Sequence, residues 1–377
     1  MFNFLKNIFR PKYDTLNQIE ILEKNILHNL RILKNAQPDS EIFPVLKSNA
    51  YGHGIKEICN ILSKTDVKII AVDSFPEAQI AYKNFHNKVL IIGEAPISVY
   101  KYFDFNRTEF CVYNIQTLKH LASLKKKISV HLFVNTGMNR EGIKDLKEFL
   151  EKSREYLNNI EITGFCSHLA SADEVSDLNK KQEKRFLYNL NILNQYKIFP
   201  KWIHLGNSAG AFILNNKKYT AFRIGLAFYG YNPFDENHSK FKKAEKLKPA
   251  LQVMSKVVSV QKINKGDTVS YNEVFKASKK TNIATIPFGY CEGINRKLSN
   301  KAIFYINDKP VKIAGNVCMN LTSLDCGDNK VKVGDNVEII SCDSKRENSL
   351  FNISRIEDTI PYEVLVKFKE NIRRRLI

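Results

Sequence analysis

Short apolar, β-branched runs alternate with helically spaced segments along the first two-thirds of the chain. The runs fall at residues 43–47, 68–72, 89–93, 110–113, 128–134, 162–169, 202–207 and 221–225. Between them, Leu22, Ile26, Leu30 and Leu33 share one helical face, and Phe186, Leu190 and Leu193 share another. Strand followed by helix, repeated about eight times, predicts a closed (β/α)8 barrel of the TIM type. An open doubly wound sheet has the same alternation. Neither G-x-G-x-x-G nor G-x-x-x-x-G-K-[ST] follows any of these strands, which weighs against that alternative.

Beyond about residue 237 the texture changes. Runs at 253–263, 282–287, 302–306, 309–315, 323–326 and 336–340 read as strands, separated by turn formers such as Asn307-Asp308 and Gly334-Asp335. The expected architecture is an α/β barrel over residues 15–240 followed by a β-rich domain over 241–377. Residues 1–14 are read as a short arm on the protein's own surface. A chain of 377 residues is long enough for two such cores.

Composition narrows the function classes. With 44% hydrophobic and 26% charged residues the chain is an ordinary globular protein. A net charge of +19 raises the question of nucleic acid. The Lys and Arg residues are scattered, however, and the clusters at 125–127 and 373–375 are too short for a binding stripe, so no nucleic-acid partner is expected. Seven cysteines without a C-x-x-C pair, and histidines without zinc-ligand spacing, predict free thiols and no metal. No run approaches the ~20 apolar residues of a spanning helix. The N-terminal stretch lacks both a continuous hydrophobic region and a small-residue cleavage site. A cytoplasmic protein without membrane contact is expected.

In a barrel, residues just past the C-terminal ends of the strands build the active site. Those positions supply Lys47, Arg140, His168, Asn207, Ser208 and Arg223. An amine, two guanidinium groups, an imidazole, an amide and a hydroxyl would therefore converge on one mouth.

At these residues the chain resembles a known family. The segment VLKSNAYGHG at 45–54 is similar to the cofactor-lysine motif of the alanine racemases. The likeness continues, in family order, through NTGMNREG at 135–142, SHLASADE at 167–174, GNSAGAF at 206–212 and RIGLAFYG at 223–230. It extends through VSYNEVF at 269–275, GYCEGINRKLSN at 289–300, GNVCMN at 315–320 and TIPYEVL at 359–365. The resemblance implies a pyridoxal-phosphate enzyme of fold-type III that interconverts L- and D-alanine by a two-base mechanism, supplying D-alanine for peptidoglycan. It implies Lys47 as the cofactor lysine and the base on one face, and Tyr271 as the base on the other. Tyr271 is expected to reach the site from the second subunit of a homodimer with shared active sites. Arg223 would meet the pyridine nitrogen, with His168 holding it in place. Tyr51, Ser208, Tyr362, Gly225 and Leu226 would grip the phosphate. Arg140 and Met319 would bind the carboxylate of a small amino-acid substrate, with Tyr290 lining the entrance.

The sequence departs from the family pattern at several positions. Many members carry a carbamylated lysine two positions ahead of an Asp; here those positions are Phe133 and Asn135. Arg140 is then expected to be held by another group, such as Asn135 with a bound anion. A Met-Asp pair is Met319-Asn320 here, and an entrance arginine is Asn316. These changes leave open a broader racemase acting on serine or lysine. A non-catalytic pyridoxal-phosphate carrier is the other alternative, and the β-rich domain with Tyr271 and Tyr362 argues against it.

Overall fold

A computed structural model describes residues 13–377; the predicted arm falls almost wholly on residues 1–12 and lies outside the described residues. The described residues divide into two compact units, one of Leu22–Ala250 with Leu376–Ile377 and a second that combines Leu251–Arg375 with residues 13–21.

The first unit is the expected barrel, and all eight apolar runs form its strands. They are Glu41–Pro44, Ile69–Val72, Lys88–Ile91, Thr108–Val112, Ile128–Phe133, Ile160–Cys166, Trp202–His204 and Ala221–Ile224. The six from Ile69–Val72 to Trp202–His204 form one parallel sheet in sequence order, and the first and last pair in parallel with each other. The ring closes at two seams. Val45 bridges Ala71 on one side, and on the other Thr220 donates to Ile203 O (3.0 Å) and Arg223 donates to Gly206 O (3.1 Å).

The barrel interior is filled as the pleat requires, by alternate residues of each strand. Phe43, Val45, Ile69, Ala71, Leu90, Cys111, Cys166, Trp202 and Ala221 form one buried apolar cluster. Helix Glu23–Ala36 buries Ile26, Leu30 and Leu33, and helix Asp177–Gln195 buries Phe186, Leu190 and Leu193, which are the faces read from the spacing. Helix Glu23–Ala36 also buries the polar Asn29. Its amide donates to Phe228 O (3.2 Å) and Lys248 O (2.9 Å) and accepts from Lys248 N (2.9 Å), fastening the end of this unit to its first helix.

The second unit is a nine-stranded sheet in the order Ser259–Ile263, Thr281–Ile286, Thr322–Gly327, Lys309–Ile313, Ile303–Ile306, Asn336–Ile340, Leu251–Lys256, Gln18–Ile21 and Arg373–Leu376. Three features differ from the sequence reading. The single run at 253–263 is two strands. Leu251–Lys256 pairs with Asn336–Ile340, and the chain changes partner at Val257 and Val258, so that Ser259–Ile263 pairs with Thr281–Ile286. The strand Gln18–Ile21 belongs to this sheet, antiparallel to Leu251–Lys256, although residues from 15 onward were expected in the barrel. Arg373–Leu376, read only as a basic cluster, is an edge strand. All seven cysteines are free thiols, as expected. Among the described residues no helix is long and apolar enough to cross a membrane.

The Asn29 clasp is testable. Replacing Asn29 by Ala leaves buried backbone groups of Phe228 and Lys248 unpaired, which should destabilise the barrel by about 1–3 kcal/mol. Urea denaturation of wild type and variant measures this; equal midpoints would remove the clasp from the account.

Candidate active site

Strand Glu41–Pro44 is followed by Val45 and Leu46, and Lys47 opens the turn that comes next. The next four residues, Ser48, Asn49, Ala50 and Tyr51, all have φ between 53° and 54°. A left-handed turn of non-glycine residues costs about 1–2 kcal/mol per residue, because each Cβ crowds the following carbonyl. The surroundings enforce it. Glu77 accepts from Ser48 N (2.7 Å) with one oxygen and from Asp73 N (2.8 Å) with the other. Asn49 Oδ1 accepts from Ile55 N (3.0 Å), and Gly54 N donates to Asn49 O (2.9 Å). Lys47 is therefore half-buried on a backbone that is fixed from both sides.

Arg223 lies on the closing strand Ala221–Ile224 and is buried. Its Nη1 donates to His204 Nδ1 and to His204 O (3.0 Å); its Nη2 donates to Ser167 O (2.5 Å) and faces His168 Nδ1 at 3.3 Å. All four Nη hydrogens are thereby used. The Nε–H is the one guanidinium donor for which no partner is seen among the described residues. Arginine can only donate, so both imidazoles must accept at Nδ1 and carry their proton on Nε2. Burial, followed by the charges of Arg223, Arg140 and Lys47, brings His168 down to about 3. Burial and the Arg223 charge likewise hold His204 well below the usual imidazole range.

The same mouth holds the small and hydroxyl residues. Ser208 is buried, and its Oγ accepts from Ala227 N (3.2 Å) in the turn after Arg223. A Cβ placed on Gly225 would stand 2.3 Å from the Tyr51 hydroxyl, so only glycine lets that phenol approach the Gly225 and Leu226 backbone. Arg140 is exposed and pairs with its neighbour Glu141, Nη2 to Oε1 at 2.6 Å.

Within the second unit, Tyr271 is 69% exposed on a turn where Ser270, Asn272 and Glu273 all take positive φ. Asn316 Nδ2 donates to Tyr271 O (2.9 Å), and Ser270 Oγ donates to Asn316 O (2.8 Å). Tyr290 N donates to Cys318 O (3.0 Å) and Cys291 N to Met319 O (2.8 Å), so Tyr271, Tyr290 and Met319 belong to one connected group of loops. Tyr362 lies in helix Pro361–Lys367.

Comparison with known proteins decides the family. Residues 21–233 match the alanine racemase N-terminal domain, and residues 250–376 match the alanine racemase C-terminal domain. The chain belongs to the alanine racemase family. It is 34% identical to an alanine racemase of Borreliella burgdorferi over 364 residues, covering 94% of this chain and 95% of that protein. Among solved structures, an alanine racemase of Clostridium difficile 630 superposes with a TM-score of 0.89 at 27% identity, covering 97% of each chain. Another, from Bartonella henselae and described as having covalently bound pyridoxal phosphate, superposes at 0.84 with 25% identity, covering 97% of this chain and 100% of that one.

Seen as an alanine racemase fold, two local departures have physical explanations. Phe133 packs against the apolar barrel cluster, and its ring lies 6.4 Å from that of Tyr113. Asn135 makes no direct hydrogen bond to Arg140. Its Oδ1 accepts from Gly137 N (2.9 Å) and Asn139 N (3.2 Å) and its Nδ2 donates to Asn139 Oδ1 (3.0 Å), which shapes the loop; Glu141 is what engages Arg140. Sequence reasoning also missed Glu77, Glu141, His204 and His131. The available signal for the last two was a polar residue at an inward position of an otherwise apolar strand.

The two depressed imidazoles set a pH dependence. Unfolded, each takes a proton near pH 6.5, whereas folded each stays neutral to well below that, so the unfolded chain binds more protons and stability falls as pH drops below 6.5. Each group contributes up to about 1.4 kcal/mol per pH unit. Between pH 6.5 and 4.5, His168→Gln should therefore show a shallower loss of unfolding free energy than wild type, by about one proton. Parallel slopes in denaturant titrations at several pH values would contradict the neutral His168.

Proposed function

We propose that this protein interconverts L- and D-alanine, using pyridoxal phosphate held on Lys47. The observation that carries the reading is Arg223: a buried guanidinium at a strand end of an alanine racemase barrel, with one donor left over.

The residues suit this cofactor on three counts. A remaining Nε–H on a permanently charged arginine is a partner for a ring nitrogen that accepts and stays unprotonated. The glycine at 225, the Tyr51 hydroxyl beside it and the Ser208 hydroxyl offer the small and polar wall a phosphate needs. Lys47 sits on a turn whose strain fixes where its amine emerges. When bound, pyridoxal phosphate supplies an electron sink that makes the α-proton of an attached amino acid removable.

The remaining work falls to this chain. Lys47 Nζ takes or returns the α-proton on one face, and Tyr271 Oη does so on the other, so that a proton removed by one and replaced by the other inverts the carbon. Arg223 cannot accept a proton, and its fixed charge keeps the sink shallow, which favours reprotonation over side reactions. Arg140, steadied by Glu141, orients the substrate carboxylate with the Met319 backbone, and Tyr290 narrows the entrance. Tyr362 joins Tyr51, Ser208, Gly225 and Leu226 at the phosphate. The enzyme works as a homodimer in the cytoplasm, each site taking Lys47 from one subunit and Tyr271 from the other, and its D-alanine serves peptidoglycan. The outward exposure of Tyr271 in a single chain supports that sharing.

Two experiments test this. Borohydride treatment followed by peptide mapping should place the reduced cofactor on Lys47, and Lys47→Ala should lose both the label and racemisation; a labelled, active variant would remove Lys47 from the role. For the shared site, Lys47→Ala and Tyr271→Phe, each nearly inactive alone, should be refolded together in equal amounts. Random pairing makes about half of the dimers mixed, so about a quarter of all sites should regain both wild-type residues. No recovery in mixed dimers verified by mass would assign Tyr271 to its own chain's site.

A further inference from the structure

The chain of partners that begins with the acceptors of Arg223 does not stop at His204. His204 Nε2 lies 2.7 Å from His131 Nδ1, and His131 Nε2 lies 2.6 Å from Glu109 Oε2. Thr163 Oγ1 donates to the same carboxylate oxygen (2.9 Å). His131 and His204 are fully buried, Glu109 is 5% exposed and Arg223 6% exposed. Four strands contribute to this string, with Thr163 from a fifth. Gly164 makes room for it, since a Cβ there would stand 2.2 Å from the His131 ring.

The direction of every proton follows from the two ends. Arg223 only donates, so His204 accepts at Nδ1 and donates from Nε2; His131 must then accept at Nδ1 and donate from Nε2. A carboxylate, which only accepts, completes the series. The reverse arrangement would set a donor against the guanidinium. Burial pushes the Glu109 carboxyl up, but the His131 ring and the Thr163 hydroxyl outweigh it and hold it below the usual carboxylate range. The string therefore runs from a guanidinium to a carboxylate through two imidazoles that each accept at Nδ1 and donate from Nε2. A barrel interior is ordinarily filled by branched apolar side chains, and replacing buried ionic groups by well-packed apolar ones is often stabilising. Stability alone does not account for this string.

We propose that Glu109 is a positioning residue for the reaction: acting through His131 and His204, it fixes their proton pattern and so locks the Arg223 guanidinium with its Nε–H as the donor left over. Its effect on turnover rests on the racemase reading; its effect on the imidazoles does not.

The test uses full-length protein with ¹⁵N-labelled histidine, assigned through His131→Asn and His204→Asn. In wild type both rings should be neutral with the proton on Nε2. Glu109→Gln, which can still accept from His131 through its amide oxygen, should keep that pattern. Glu109→Leu should release it, giving mixed tautomers at both rings. Turnover should follow the tautomers: kcat falls about ten-fold in Glu109→Leu with KM within about two-fold, the lower range seen for outer partners of a bound group, and recovers in Glu109→Gln. A wild-type His204 protonated on Nδ1, or on both nitrogens, would overturn the proposal even if no variant folded. So would Glu109→Leu with unchanged imidazole signals. The expected tautomers in a protein without racemase activity would instead refute the functional reading and leave the string standing.

Discussion

A guanidinium inside a barrel is the constraint from which the polar architecture follows. Arginine brings five donors and a charge it cannot shed, so burial obliges the fold to surround it with acceptors. Here the acceptors are the Ser167 and His204 carbonyls and two imidazole nitrogens, drawn from two strand ends. Each imidazole recruited as an acceptor becomes a donor on its far side and needs an acceptor in turn. For His204 that need propagates through His131 to Glu109. Burying one charge has thus dictated residues on four strands, and a glycine on a fifth to admit the His131 ring.

The turn after Lys47 works on the opposite principle. Four consecutive residues in left-handed backbone are locally unfavourable, and the sequence does not relieve this with glycine. Glu77 and the Asn49 side chain hold the turn from outside with short hydrogen bonds to its backbone. Arg223 is thus fixed by satisfying every donor but one, and Lys47 by a strained backbone that its neighbours over-determine. Both devices restrict where one nitrogen can point.

The barrel was legible in the sequence because its strands are short, apolar and separated by helical spacing, and all eight runs such as 128–134 and 202–207 became strands. Boundaries were less legible where pairing, not pattern, decides them. The run at 253–263 has unbroken strand character, and only the change of partner at Val257 divides it. Gln18–Ile21 is too short to announce its sheet, which is formed with residues more than 200 positions away. The positions of Lys47, Arg140, His168 and Arg223 at strand ends followed from periodicity, whereas their roles came from family likeness. What neither supplied was the partner of each group. Asn135 looked suited to Arg140, but its side chain bonds within its own loop while adjacent Glu141 engages the guanidinium. Side-chain partnerships depend on loop geometry, which strand periodicity does not encode.

The departure at residue 316 shows how a family position can change its work without leaving its place. Where an entrance arginine is common, Asn316 is a shorter side chain with no charge to send into solvent. Its amide instead donates to the backbone of Tyr271, and its own carbonyl receives the Ser270 hydroxyl. Ser270, Asn272 and Glu273 all take positive φ, so this turn is strained and relies on outside bonds to persist. Gly315 allows the approach, because a Cβ at that position would meet Val269 O at 2.4 Å. Asn316, where the family resemblance implies an entrance arginine, is in this chain part of what braces the turn that carries the exposed Tyr271.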